Sequence, residues 1–92
     1  MANCRITCIE KSDRNDGYGH ITHAGNPPTW LWSVEAIIDS IDRKTNAFYV
    51  EDSRGHRAYV GVRRAAGRRS YIQTYADGVW TDNLLALDAC ML

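Results

Sequence analysis

Three cysteines and three histidines are the residues best equipped for chemistry in this 92-residue chain. Cys4, Cys8, His20 and His23 spell C-x3-C-x11-H-x2-H, close to a zinc-holding Cys2His2 pattern, whose second pair is normally spaced H-x3–5-H. The histidine pair is too tight for that pattern. If residues 4–11 form one strand, Cys4 and Cys8 stand about 13 Å apart. That also exceeds the ~7 Å Cα limit for a disulfide between them. A second set, Cys8, His23 and Cys90, requires the chain ends to meet, which antiparallel strands permit. Cys8 and His23 can also be read as nucleophile and base, but no orienting third group or oxyanion hole is visible beside them. The plainer alternative is buried thiols, since free cysteine is among the most buried residue types. An odd cysteine count without a signal peptide argues against a disulfide framework.

Other enzyme signatures fail outright. Gly17-x-Gly19 continues with Thr22 where a third glycine belongs, and no G-x-x-x-x-G-K-[ST] occurs, so neither phosphate-cradling loop is present. The carboxylates are scattered, which leaves paired acid–base chemistry without support. No cofactor is implied.

Charge is more informative. The formal net charge is zero, which argues against bulk coating of nucleic acid. Yet residues 54–69 carry Arg54, Arg57, Arg63, Arg64, Arg68 and Arg69 with no acid, while the segments on either side are each net acidic. Arginine suits planar, bidentate contacts to phosphate or carboxylate. Tyr59 and Tyr71 flank arginines of the 57–71 hairpin, and an arginine–aromatic sheet face can hold a single strand by backbone charge and base stacking. The plainer alternative is a solvated hairpin whose charges blunt a sheet edge. Most of the three tryptophans are expected in the core.

These residues must be positioned by a small α+β scaffold. Residues 4–11 read as a first strand and 20–24 as a second, with a turn-rich loop at 12–19 between them. Pro27 and Pro28 stop the second strand. Val34, Ile37, Ile38 and Ile41 recur at i, i+3, i+4, i+7 and predict a helix over 33–44. Ser33 is its N-cap and Asn46 its left-handed stop; Glu35, Asp39 and Asp42 form its solvated face. Strands are predicted at 47–51, 56–63 and 69–75, with turns at Asp52–Gly55 and Ala76–Gly78. Leu84, Leu85 and Leu87 form a tail turned onto the core. The expected architecture is β-β-α-β-β-β: one antiparallel sheet of about five strands with one helix packed on one face. The chain is one domain over residues 1–92, large enough to bury roughly two-thirds of its unfolded surface. It has no apolar run of the ~18 residues that a membrane span needs. The polar opening, Met1 to Asp13, is not a signal peptide, so the expected location is the cytoplasm.

Several segments taken together resemble a known family. They are Ile6-Thr7-Cys8-Ile9 with Lys11-Ser12-Asp13-Arg14, then Ile21-Thr22-His23, then Trp32 opening the helix with Glu35-Ala36-Ile37. Phe48-Tyr49-Val50, Tyr71-Ile72-Gln73-Thr74, Ala76-Asp77-Gly78 and Asn83-Leu84-Leu85-Ala86-Leu87 up to Cys90 complete the series. The chain resembles a family of small bacterial proteins named only as a domain of unknown function. Members often end in Leu-Pro-x-Cys, where this chain has Leu87-Asp88-Ala89-Cys90. The resemblance implies a bacterial, compact single-domain protein and carries no activity or catalytic residue with it.

The function expected from these observations is a non-enzymatic binding module. Its arginine hairpin would meet an anionic partner, either single-stranded nucleic acid or an acidic protein surface. The alternative is a small metal-binding or thiol-dependent enzyme centred on Cys8 and His23.

Overall fold

The computed structural model describes residues 2–11, 21–27, 29–64, 67, 70–81, 83–84 and 86–90. His20, the 12–19 loop, Leu85, Arg68 and Arg69 lie outside the described residues.

The expected first strand is two strands in two different sheets. β1 (Ala2–Arg5) ends before Ile6, and β2 (Cys8–Lys11) begins after Thr7. At the break, Ile6 N donates to Tyr49 O and Thr7 N donates to Gly25 O, each at 2.8 Å. Consecutive amides thus bond to opposite sheets. The crossover resets the side-chain alternation, so Ile6, Cys8 and Ile9 are all buried, although a continuous strand would put Ile9 on the face opposite the other two.

β3 (Ile21–Asn26) runs antiparallel to β2, and β4 (Trp30–Ser33) returns antiparallel to β3. β3 runs two residues past its expected end at Ala24 and stops at Asn26, just before Pro27; Pro28 lies outside the described residues. The stop falls at a turn closed by Thr29 N on Asn26 O at 3.0 Å, and the chain then re-enters the sheet instead of passing directly to the helix.

The helix α1 (Val34–Asp42) starts where the sequence predicts, with Ser33 Oγ accepting from Ala36 N at 3.2 Å. Its end differs from expectation. Lys44, not Asn46, takes the left-handed conformation (φ 59°). Thr45 N reaches Ser40 O and Lys44 N reaches Ile41 O, each at 3.1 Å, the paired bonds of a Schellman end. Asn46 instead opens β5 (Asn46–Glu51) and donates its side-chain amide to the buried Ser40 Oγ at 3.0 Å.

β5, β6 (Arg57–Arg63), β7 (Tyr71–Ala76) and β8 (Val79–Thr81) form an antiparallel meander, with β1 parallel to β5 at its edge. Asp77 (φ 53°) and Gly78 (φ 79°) make the two-residue turn from β7 to β8. Positive φ at both central positions is the type I′ geometry that matches strand twist. The second sheet has the order β4-β3-β2-β9, in which β9 (Asp88–Ala89) lies parallel to β2.

The architecture is therefore α+β, but with two mixed sheets of five and four strands in place of one antiparallel sheet of about five. The helix touches β3 and β4 of one sheet and β5, β6 and β7 of the other. One apolar cluster spans both sheets: Ile6, Ile9, Ile21 and Ala24 meet Val34 and Ile37 of the helix, Phe48, Val50, Ala58, Val60 and Ile72 of the meander, and Leu84. Trp30, Trp32 and Phe48 bridge β4 to β5, with ring centroids 5.6 to 6.0 Å apart.

The cysteines also correct an expectation. β9 delivers Cys90 beside Cys8, and Cys90 N donates to Ile9 O at 3.1 Å. Cys8 and Cys90 are joined in a disulfide, so neither is a buried thiol. Cys4 is the free cysteine.

Candidate functional site

In the meander the side chains facing Val60, Ile72 and Thr74 fill the core, so the alternate positions point outward. The register places the outward residues in rows across the strands. Tyr49 pairs with Tyr59, Tyr59 with Tyr75, and Tyr75 with Trp80. Arg5 extends that row opposite Tyr49 on β1. Four aromatic rings thus cross four adjacent strands in one line. Tyr49 and Tyr59 have centroids 6.0 Å apart, and Tyr75 and Trp80 5.7 Å. Tyr59, Tyr75 and Trp80 are 41%, 46% and 39% exposed. Large rings grouped on one exposed face make this the candidate contact surface of the chain's described residues.

Two arginines of β6 lie on these rings. The Arg57 guanidinium sits 4.3 Å from the Tyr49 centroid and donates through Nε to Glu51 Oε1 at 2.8 Å. The Arg63 guanidinium sits 4.6 Å from the Trp80 ring and donates to Gln73 Oε1 at 3.2 Å. Trp80 reaches over Gly61, where an added Cβ would meet its Cη2 at 3.0 Å. The strand that carries the arginines thus has a glycine where the indole approaches it. The hydrogen bond to Glu51, first, and one to Tyr59 hold the Arg57 guanidinium above its ordinary pKa.

Of the residues singled out in the sequence, Arg57, Tyr59, Arg63 and Tyr71 share this outer face; Tyr71 is the register partner of Arg63. Arg54 is placed elsewhere, in the β5–β6 turn, where Asp52 Oδ1 accepts from its backbone N at 2.8 Å. Arg64 leaves the face as well and donates to Asp42 of the helix at 2.6 Å. Arg68 and Arg69 lie outside the described residues. Sequence reasoning misses Tyr49, Tyr75, Trp80, Arg5 and Glu51. Strand alternation does contain the signal for Tyr49 and Tyr75. The signal for Trp80 is the Asp77-Gly78 turn, which returns the chain as a further strand. Trp80 is consequently a surface residue and not a core one.

The cysteine–histidine sets come together only in part. β2 and β3 do pair, but Cys8 stands opposite Gly25 and His23 opposite Glu10. His23 is exposed, and its Nδ1 lies 3.1 Å from Thr22 Oγ1. Cys8 and Cys90 meet as a disulfide, whose sulfurs offer neither a thiolate ligand nor a nucleophile. Among the described residues no group of three or more His, Cys, Asp or Glu is arranged to hold a metal. A groove of about 500 Å³ between β4 and α1 is lined by Trp32, Ser33, Ser40 and the Asp39–Arg43 ion pair, among others. The Ser33 hydroxyl caps the helix and the Ser40 hydroxyl bonds to Thr45, so these groups are engaged in structure and do not converge on a ligand.

Residues 5–88 match a family model described as a protein of unknown function, DUF3892. The chain belongs to this family. The match begins at Arg5 and reaches the first residue of β9, and so takes in the whole outward row and its flanking arginines. Searches of curated proteins and of solved structures gave no match. In this DUF3892 chain the arginine–aromatic face spans strands β5 to β8, all within the matched residues. No helix among the described residues is long and apolar enough to cross a membrane.

Proposed function

We propose that the outer face of the five-stranded sheet binds single-stranded nucleic acid, with the chain acting as a binding module and not as an enzyme. The observation that carries this reading is the row Tyr49–Tyr59–Tyr75–Trp80, one ring per strand, with Arg57 and Arg63 stacked on its two ends. Every base has a π-face, so the exposed rings of this row accept a strand with little regard to sequence, and the arginines at its ends track the phosphates. The aromatic row favours a strand over an acidic protein surface, which needs the arginines but not the rings. The zero net charge fits a short, salt-sensitive interaction.

Titration with an eight-nucleotide oligothymidylate, read by tryptophan fluorescence, tests the reading. Tyr59→Ala with Tyr75→Ala should weaken binding by about 30-fold or more, since each of the two stacked bases is worth about 1–3 kcal/mol. Arg57→Ala with Arg63→Ala should flatten the dependence of log Kd on log salt by roughly 0.7 for each phosphate no longer neutralised. A wild-type protein that quenches with no oligonucleotide, DNA or RNA, refutes the proposal. Capture of an acidic protein that survives loss of both tyrosines would favour the other partner.

A bacterial, cytoplasmic setting belongs to the same proposal. There the Cys8–Cys90 bond faces a reducing pool that normally keeps thiols free. Acid-quenched cells with alkylated thiols would show whether the bond is present in place; a fully oxidised pair would move the protein to an oxidising compartment.

A further inference from the structure

We infer that Glu51 is a built-in competitor for the ligand's phosphate, and that the Arg5–Glu51–Arg57 cluster is the phosphate subsite of the aromatic face. This rests on the binding reading above and names the part of the face that meets charge. Glu51 ends β5 and is the register partner of Arg57. Its carboxylate serves two arginines at once: Oε1 accepts from Arg57 Nε at 2.8 Å, and Oε2 lies 3.7 Å from Arg5 Nη1. Arg5 also donates to the backbone oxygen of Glu51 at 3.3 Å. Two guanidinium groups thus stand at the two oxygens of one carboxylate, Arg57 by a hydrogen bond and Arg5 by charge, and arginine donors of this kind also suit phosphate oxygens.

Three features make exchange feasible. All three side chains are partly exposed, so no charge has to be stripped of water to trade partners. A phosphodiester carries one negative charge, as the carboxylate does, so the swap preserves the local balance. Arg57 is anchored independently on the Tyr49 ring, so its guanidinium keeps its place beside the first ring of the row when Glu51 lets go. Arg63, at the other end, is held by a neutral amide and a ring. The two ends of the row therefore differ: a phosphate reaches Arg63 freely but must displace Glu51 to reach Arg57. Glu51 thereby sets a threshold against weak anions and against acidic proteins.

Glu51→Gln keeps an oxygen for Arg57 Nε and removes the charge. It should tighten oligothymidylate binding about tenfold and steepen the salt dependence by roughly 0.7 for each further phosphate neutralised. Inorganic phosphate should shift the Arg57 Nε–Hε resonance saturably in this variant and far less in the wild type. Glu51→Asp, one carbon shorter, should change both readouts in the same direction by less. Adding Arg5→Ala to Glu51→Gln should cancel most of the tightening. Asp39→Asn, an equal charge change on the exposed helix face, should leave binding unaltered. Oligonucleotide binding that ignores Glu51→Gln or weakens with it overturns the subsite and leaves the aromatic face standing. A phosphate response in Glu51→Gln without strand binding by any of the proteins sinks the aromatic reading and keeps the subsite.

Discussion

A methyl group at Gly25 would sit 2.5 Å from Trp30 O and 2.8 Å from Leu31 Cα. Both are backbone atoms of the paired strand β4, and neither can move without opening the β3–β4 ladder. Gly25→Ala should therefore destabilise by about 1–3 kcal/mol, the usual range for forced overpacking. At Gly61 the clash is with the outer ring of Trp80, an exposed side chain that can tilt away. Gly61→Ala should cost under about 1 kcal/mol yet change the Trp80 emission and lift the Arg63 guanidinium from the indole. Urea midpoints and fluorescence spectra of the two variants separate the cases; equal midpoints would mean that strand β4 yields as easily as an indole. Asp52 organises the β5–β6 turn in a comparable way, through backbone atoms. Its carboxylate accepts from the backbone N–H of His56 at 2.9 Å and of Arg54 at 2.8 Å. These bonds, that of His56 foremost, hold its pKa below the ordinary 3.8. The contribution of a depressed carboxyl is present above its unfolded pKa and is lost as pH falls through the lower folded value. The His56 and Arg54 amide resonances should accordingly titrate together with a midpoint below 3.8; a midpoint at or above it would show that the turn does not favour the ionised form.

The helix is the element most plainly written in its residues. Val34 and Ile37 are buried, Ile38 and Ile41 pack against the core from its margin, and Glu35, Asp39 and Asp42 face solvent. Ile37 is wholly inaccessible, so Ile37→Ala should cost about 2–5 kcal/mol, with Ile41→Ala adding less because its site is only half-closed. Asp39→Ala, which removes an exposed ion pair to Arg43, should cost under about 0.5 kcal/mol. Matching urea midpoints for Ile37→Ala and Asp39→Ala would place the wrong face against the sheets. The β6 alternation of Ala58 and Val60 against Arg57 and Tyr59 is equally legible, because one side of that strand is dry and the other wet. The sheet change at Ile6–Thr7 is not. Its cause is two long-range hydrogen bonds, to Tyr49 and Gly25, that no local pattern announces; the alternation of Cys4, Ile6 and Cys8 imitates one continuous strand. Strands β8 and β9 span three and two residues, too short to show alternation. Only the Asp-Gly turn before β8 points to it. The proposed binding face is legible to the same degree: Arg57, Tyr59, Arg63 and Tyr71 can be read along their own strands. Alternation also turns Tyr49 and Tyr75 outward, but that these rings and Trp80 stand in one line is set by cross-strand register.

At the scale of the whole molecule, the Cys8–Cys90 bond matters more than its size suggests. It ties residues 82 positions apart, and a loop of that length removes about 4–5 kcal/mol of unfolded-chain freedom by the loop-entropy account. It also anchors β9, whose two residues could not hold the sheet edge alone. Cys8→Ala with Cys90→Ala should lower stability by about 2–5 kcal/mol, and the wild type in excess reductant should unfold at nearly the same guanidinium concentration as the double variant. A reductant-independent midpoint would mean that the two sulfurs are not bonded. The bond has a topological consequence as well. From residue 8 to residue 90 the peptide chain and the two sulfurs form a single closed circuit. A protease that cuts one peptide bond anywhere inside that circuit opens a ring and releases nothing. The nicked protein still migrates as one species on a denaturing gel, and it separates into two pieces only when the sulfurs are reduced.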